Sequence, residues 1–98
     1  MCGAKTGGPS LEGVDLSRQA VIQGVVLDDG SPVPGAYVRL LDRGGDFTAE
    51  VPTSATGQFR FFAAEGRWTV RALAPRHDPA ERQVMATMGG VAEVTVTL

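Results

Sequence analysis

The sequence predicts an all-β protein, a seven-stranded antiparallel β-sandwich. Short runs rich in β-branched and aromatic residues alternate apolar and polar positions with a period of two, as half-buried strands do. Turn-forming clusters of Gly, Pro and Asp separate these runs at intervals of about 8 to 12 residues, which is typical of a sandwich. No stretch of useful length has helical periodicity. The inward positions of all the runs together predict one core between two sheets.

The length of 98 residues indicates a single domain that buries about two-thirds of the unfolded chain's surface. Three glycines and a proline fall within the first nine residues and disfavour regular structure there. We therefore expect residues 1–19 to form a flexible N-terminal segment and residues 20–98 to form the β-sandwich domain.

The first two strands are separated by a clear turn. The run 20–27 is rich in β-branched residues and ends at the cluster Asp28-Asp29-Gly30-Ser31-Pro32, which favours a turn. The second strand, residues 36–42, alternates cleanly and places Val38 and Leu40 on its inner face. A Gly-Gly pair after this strand predicts a hairpin with a third strand over residues 47–51.

The central stretch, residues 57–72, contains three of the four Phe residues and the single Trp. Its two halves each place their large side chains on one face, and Ala63-Ala64-Glu65-Gly66 between them predicts a hairpin turn. We expect this hairpin to form the densest part of the core. The predicted core residues are Val38, Leu40, Phe59, Phe61, Trp68 and Val70.

The last quarter of the chain predicts a loop and two strands. Two prolines within residues 74–80 favour a loop, and residues 81–87 are predicted as a sixth strand. Gly89-Gly90 turns the chain into residues 91–98, whose alternating Val and Thr predict the seventh strand.

Composition excludes several classes of function. The net charge of −2 is spread along the chain and leaves no basic block for a nucleic-acid backbone. No apolar run approaches the length of about 18 residues that spans a bilayer, and no apolar segment of a secretory signal is present. A single cysteine cannot form an intrachain disulfide, which fits a reducing compartment. We expect a cytoplasmic protein that binds neither nucleic acid nor membrane.

Two groups of polar residues are candidate sites. His77, the single histidine, lies beside Asp78 and would suit a base with a neighbouring carboxylate, but a lone loop histidine is more often exposed to solvent. The acidic residues Asp28, Asp29, Asp42 and Asp46 flank two turns, and their spacing fits no known cation-binding loop. We therefore predict no catalytic residue, no metal site and no cofactor.

Cys2 is the one candidate for chemistry, as a sulfur acceptor. If Met1 is removed, an α-amine lies beside the Cys2 thiol and favours the thiolate, which is the form that attacks sulfur. The alternative interpretation is an incidental thiol on a flexible tail. One cysteine and one histidine cannot complete a zinc site without ligands from elsewhere.

The order of elements resembles a known superfamily. The pattern runs from Ile22-x-Gly24-x-Val26-x-Asp28 through Thr56-Gly57-x-Phe59-x-Phe61 to Gly66-x-Trp68. Over residues 20–73 the chain is similar to the carboxypeptidase-regulatory, or transthyretin-like, β-sandwich superfamily. The resemblance implies an immunoglobulin-like sandwich and leaves the function open, because this fold serves as spacer, binding module and scaffold.

A second resemblance extends over nearly the whole chain. The chain is similar to a small actinobacterial family of unsettled activity. The stretches that carry this resemblance are Met1-Cys2, Gly13-Val14-Asp15-Leu16, Leu40-Leu41-Asp42 with Phe47-Thr48-Ala49-Glu50-Val51, and the run from Ser54 to Ala64. That family is linked with sulfur metabolism and is typically encoded beside a thiosulfate sulfurtransferase of the rhodanese type. The resemblance implies a pathway and a partner without implying a mechanism.

Two hypotheses of function follow. In the first, the protein is a non-catalytic β-sandwich that accompanies the sulfurtransferase. In the alternative, it is a sulfur acceptor or thiol carrier that uses Cys2. Hydrolysis like that of the transthyretin-like 5-hydroxyisourate hydrolases is discarded, since those enzymes rely on several His and Arg residues and a Tyr-Arg-Gly-Ser-type C-terminus, whereas this chain has one His and ends Thr95-Val96-Thr97-Leu98.

Overall fold

The computed structural model describes residues 3–6 and 19–98 of the chain. Its strands are β1 (Gly3–Thr6), β2 (Ala20–Asp28), β3 (Ser31–Pro32), β4 (Tyr37–Leu41), β5 (Phe47–Pro52), β6 (Gln58–Ala63), β7 (Gly66–Leu73), β8 (Ala80–Ala86) and β9 (Val91–Thr97). One sheet, which we call sheet A, has the order β1-β6-β2-β9, with β3 added at the end of β2. The other, sheet B, has the order β5-β4-β7-β8.

The predicted all-β sandwich is confirmed, with two departures in detail. The described residues contain eight strands of four or more residues and the two-residue β3, where seven strands were predicted. Every pairing is antiparallel except that of β2 with β9, which is parallel over residues 21–27 and 91–97. No helix in the described residues is long and apolar enough to cross a membrane.

The additional strand is β1, and the prediction that the first residues form no regular structure is wrong for Gly3–Thr6. These four residues pair antiparallel with β6, from Gly3 opposite Phe62 to Thr6 opposite Phe59. Ladder bonds need only backbone groups, and β6 offers a free edge whose polar groups favour a partner strand. The rest of the predicted N-terminal segment, apart from Gln19, lies outside the described residues.

The parallel pairing of β2 with β9 requires a glycine in the middle of β2. A Cβ built on Gly24 would lie 1.8 Å from the Val94 carbonyl oxygen and 3.0 Å from Cζ of Phe59. The backbone of β9 and a core aromatic ring therefore both occupy the space that any other residue would need. The antiparallel prediction does not hold for β2 and β9, because these strands are joined through β3 to β8, which together act as the long crossover that a parallel pair needs.

The predicted central hairpin is an arch between the two sheets. β6 lies in sheet A and β7 in sheet B, and only Ala64 and Glu65 separate them. Gly66 begins β7 at a φ of 140°, a backbone conformation that glycine adopts without strain. The indole Nε1 of Trp68 donates to the Ala64 carbonyl oxygen at 2.9 Å and closes the arch. Phe59 and Phe61 therefore face Val70 across the sandwich rather than lying beside it in one sheet.

The core lies between the sheets and draws on both. Phe59 and Phe61 from β6 are tilted against each other with ring centroids 6.0 Å apart. Among the predicted core residues, Val38, Leu40, Phe59, Phe61 and Val70 are fully buried. Trp68 is only partly buried and packs against the edge of this cluster. Its indole is kept near the surface because its N–H is bonded to the arch.

Thr53 anchors the loop that leads into β4. Its buried Oγ1 accepts from the Ala36 N–H at 2.9 Å and donates to the Val33 carbonyl oxygen at 2.7 Å. The Thr53 N–H in turn donates to the Ala36 carbonyl oxygen at 2.7 Å. These bonds fix the residue directly before Tyr37, so the start of β4 is held rigidly.

Gly24→Ala is expected to destabilise the protein by about 3 kcal/mol or more, since the methyl group meets backbone that cannot move without breaking the β2–β9 ladder. Urea denaturation of the two proteins measures this difference. Gly44→Ala is the matched control, because a Cβ there meets no atom closer than 3.5 Å. Equal stability of the two variants would show that β9 does not lie against Gly24.

Phe61→Ala is expected to cost about 3–5 kcal/mol, because a fully buried ring is replaced by a cavity. Trp68→Ala is expected to cost less than Phe61→Ala, since the indole is partly exposed and its site can fill with water. The free energies of unfolding of both variants test the arch. A larger loss for Trp68→Ala would place the indole, rather than the Phe pair, at the centre of the core.

Candidate protein-binding face

The outer face of sheet B carries a row of four charged residues across four strands. Arg39 on β4 lies opposite Arg71 on β7, and each arginine has a glutamate on the strand outside it: Glu50 on β5 and Glu81 on β8. Residues directly opposite each other in an antiparallel pair share a face, so all four side chains leave the sheet on the side away from the core.

The two arginines are held by ion pairs with these glutamates. Arg39 Nε donates to Glu50 Oε1 at 2.7 Å, and Arg71 is paired with Glu81 through its Nε and a terminal nitrogen. All four side chains remain substantially exposed, so we assign the pairs little stabilising energy. Each glutamate lies on the strand outside its arginine and offsets one of the two adjacent positive charges.

Exposed aromatic residues lie on both sides of this charged row. Tyr37 lies two residues before Arg39 on β4, between Pro52 on β5 and Leu73 on β7, and is 53% exposed. Phe47 lies on the other side, is 62% exposed, and has Arg39 Cζ at 5.9 Å from its ring centroid. We call Tyr37, Arg39, Phe47 and Arg71 the outer-face cluster.

A bulge in β5 places Phe47 on this face. Leu40 pairs with Ala49 but Leu41 pairs with Phe47, so Thr48 is an extra residue in the ladder. In a regular strand Ala49 would face the core, Thr48 the solvent and Phe47 the core again. The inserted residue reverses that order and turns the Phe47 ring outward, which is a common use of bulges.

The chemistry of the outer-face cluster suits binding rather than reaction. Arginine and aromatic residues are the types that dominate protein–protein contacts, and a sheet holds them with little entropy to lose on binding. Three of the cluster's four residues lie on β4 and β7, the two inner strands of sheet B, so most of its shape is set before a partner arrives.

His77 lies elsewhere, at the end of the sandwich where β2 finishes. Its Nε2 lies 3.0 Å from Asp28 Oδ2 and its Nδ1 lies 3.0 Å from the Pro75 carbonyl oxygen. Both ring nitrogens thus face oxygen acceptors, and the doubly protonated ring satisfies both. The hydrogen bond to Pro75 raises the pKa of His77, and the hydrogen bond to Asp28 raises it further.

This geometry changes the sequence-based interpretation of His77. The carboxylate in contact is Asp28, 49 residues away, rather than the neighbouring Asp78. Both ring nitrogens are engaged by oxygen atoms of the protein, so the pair ties the β7–β8 loop to the end of β2. Asp42 has a similar local role, since its Oδ1 accepts from the N–H groups of Gly44 and Asp46 at 2.9 Å.

The remaining sequence-based candidates fall outside this site. Within residues 3–6 and 19–98, no three His, Cys, Asp or Glu side chains lie close enough together to hold a metal ion. Cys2 lies outside the described residues, and its role as a sulfur acceptor stays a prediction. The outer-face cluster itself was missed, although exposed positions of strand two already included Tyr37 and Arg39.

The fold and the outer-face cluster define a small two-sheet β-sandwich with an arginine- and aromatic-lined sheet face. The chain belongs to the family described as "Protein of unknown function (DUF1416)", which matches residues 2–98. Two uncharacterized proteins of Mycobacterium tuberculosis, Rv0814c and Rv3118, are each 49% identical over 100 residues, which is 100% of this chain and 99% of the relative. An uncharacterized protein of Mycolicibacterium smegmatis is 54% identical over 85 residues, 86% of this chain and 93% of its own.

Solved structures with the same fold include enzymes. The 5-hydroxyisourate hydrolase of Klebsiella pneumoniae has a TM-score of 0.61 at 20% identity, over 81% of this chain and 89% of its own. Catechol 1,2-dioxygenase of Acinetobacter sp. ADP1 has a TM-score of 0.64 at 12% identity, over 89% of this chain and 54% of its own. At these identities the likeness shows a transthyretin-like sandwich fold alone. The predicted absence of catalysis and the predicted link with sulfur metabolism stay predictions.

The raised pKa of His77 makes part of the stability depend on pH. Because the folded pKa lies above the unfolded value of 6.5, the stabilisation is fully present below that value and is lost as the pH rises through the folded pKa. The stability advantage of the wild-type protein over His77→Ala should therefore be largest below pH 6.5 and should shrink as the pH rises through the folded pKa. An NMR titration of the ring gives the pKa directly, and a value at or below 6.5 would contradict the pairing.

Proposed function

We propose that this protein is a non-catalytic β-sandwich that acts in sulfur metabolism by binding a thiosulfate sulfurtransferase of the rhodanese type through its outer-face cluster. The observation that carries the binding role is the exposure of Tyr37 and Phe47 on either side of the Arg39–Arg71 pair. The choice of partner follows from the sequence resemblance to a family typically encoded beside such an enzyme.

The outer-face cluster supports a protein partner more than a small ligand. It lies on the open surface of a sheet, whereas small molecules are usually bound in concave sites that bury most of their surface. Each guanidinium already has a carboxylate partner, so the charged row as a whole is neutral and does not favour a free anion. A protein surface can instead cover the two aromatic rings and bond to the remaining guanidinium N–H groups.

The ion pairs also give the face specificity. A partner that brings a carboxylate to Arg39 or Arg71 extends an existing network, whereas one that brings a cation meets two arginines side by side. Each guanidinium already lies against a carboxylate, Glu50 or Glu81, in the free protein, which lowers the entropy cost of placing it against a partner.

Sulfur transfer to Cys2 is the alternative role and uses the same partner. In that reaction the sulfurtransferase takes the outer sulfur of thiosulfate and releases sulfite, and the Cys2 thiolate then takes that sulfur from the enzyme persulfide. Cys2 becomes a persulfide and the enzyme cysteine returns to its thiolate. The binding role requires no such transfer and tolerates Cys2→Ser.

Tyr37→Ala and Arg71→Ala are each expected to weaken binding to the sulfurtransferase by about tenfold or more, as loss of a contact at the centre of an interface does. Isothermal titration calorimetry with the purified enzyme from the same cell measures the affinity. Arg82→Ala is the matched control, since Arg82 is an exposed arginine on the same sheet that lies opposite Val70 and so leaves from the other face.

The outcomes separate the parts of the proposal. No heat of binding by the wild-type protein would exclude the sulfurtransferase as partner. Binding that is equally strong in all three variants would exclude the outer-face cluster as the contact. Intact mass measured after incubation with thiosulfate and the enzyme decides the alternative, because a sulfur atom added to the wild-type protein but not to Cys2→Ser identifies a carrier.

A further inference from the structure

The four outer edges of the two sheets differ in how well they are protected against another strand. β5 contains the bulge at Thr48 and ends at Pro52, β8 carries Glu81 and Arg82 side by side, and β1 has only four residues. Bulges, prolines, adjacent charges and short length all discourage an added strand. Three of the four edges described therefore disfavour pairing with another strand.

The fourth edge, β9, has none of these features. It has seven residues, Val91–Thr97, without proline or bulge, and pairs in unbroken register with β2. Five of its residues are Val or Thr, which favour strands, and Glu93 is its single charge. No other described strand pairs with β9, so one side of its backbone faces away from the sheet.

The backbone groups on this free side can be assigned from the hydrogen bonds to β2. Val21 N–H donates to the Gly90 carbonyl oxygen, and Leu98 N–H donates to the Leu27 carbonyl oxygen. Even-numbered residues of β9 therefore face β2. Because consecutive residues alternate in direction, the N–H and C=O groups of the odd-numbered residues face outward: Val91, Glu93, Thr95 and Thr97.

We propose that β9 is a self-association edge, at which two copies of this chain join their sheets through antiparallel β9–β9 pairing centred on Val94. In this register Glu93 lies opposite Thr95 of the second copy, and Val91 lies opposite Thr97 of the second copy. The outward groups then meet in four pairs with two hydrogen bonds each, about eight in total. All seven residues of both strands are used.

The charge pattern selects this register over its neighbours. Shifting the centre to Glu93 places the two Glu93 carboxylates directly opposite each other, which is unfavourable. Shifting the centre to Thr95 places Val91 of each copy opposite a position beyond the last residue of β9, Thr97, and shortens the ladder. Centring on Val94 avoids both losses and places the exposed Val91 of each copy opposite Thr97 of the other.

Sedimentation velocity over a range of concentrations tests the proposal with the full chain. We expect the wild-type protein to dimerise reversibly and Thr95→Pro to remain monomeric. Proline at this position removes an outward N–H and leaves every bond to β2 intact, so the fold should persist. Thr95→Val, which keeps the N–H, is the matched control and should dimerise as the wild-type protein does.

A second set of variants tests the register and does not depend on Thr95→Pro folding. Thr95→Glu brings a carboxylate against Glu93 of the second copy at two symmetric positions, and should raise the dimer dissociation constant about tenfold. Adding Glu93→Lys to Thr95→Glu should restore the wild-type value, because the charges are then opposite. A wild-type protein that stays monomeric at millimolar concentration would overturn the proposal. So would a dimer whose dissociation constant is the same in the wild-type protein and in all of these variants.

Discussion

The structure depends on the close approach of β9 to the middle of β2, which only a glycine at position 24 permits. The Val94 carbonyl oxygen occupies the place of a side chain on Gly24, and the Phe59 ring fills the space on the core side. β2 is thus bonded on one flank to β6 and on the other to β9. Because β9 is joined to β8 through a short loop, its position also determines where the edge of sheet B lies against sheet A.

The alternation of apolar residues predicted which side chains face inward but not which strands pair. Phe59 and Phe61 on one strand and Val70 on the next point into the same core whether the two strands form a hairpin or an arch. Apolar residues alternate with a period of two in both a hairpin and an arch, so the alternation does not distinguish the two connections. The distinction comes from the linker, where Ala64 and Glu65 are followed by Gly66 at a φ of 140°, and from the Trp68 bond to Ala64.

The outer-face cluster could not be predicted from the sequence, for a related reason. Arg39 and Arg71 become neighbours only through the β4–β7 register, and the two residues are far apart in the chain. Phe47 is exposed because Thr48 is inserted in β5, and nothing in the residues 46–50 marks a bulge. The His77–Asp28 contact likewise joins a loop to a strand end 49 residues away. Local sequence patterns predict which face of a strand a residue occupies. A site also depends on which residues the pairing of the strands places side by side.

The two surfaces proposed for association are compatible in one molecule. Antiparallel pairing of β9 with its copy implies a two-fold axis perpendicular to the sheets, so sheet A would become continuous and both copies of sheet B would lie on the same side of it. The outer-face cluster of each copy would then point in the same direction. A partner with two equivalent binding surfaces would engage both clusters at once, and the second contact would form at a high effective concentration. Exposed ion pairs and two aromatic rings make a modest contact when used singly, and this arrangement supplies strength without any further contact on either face.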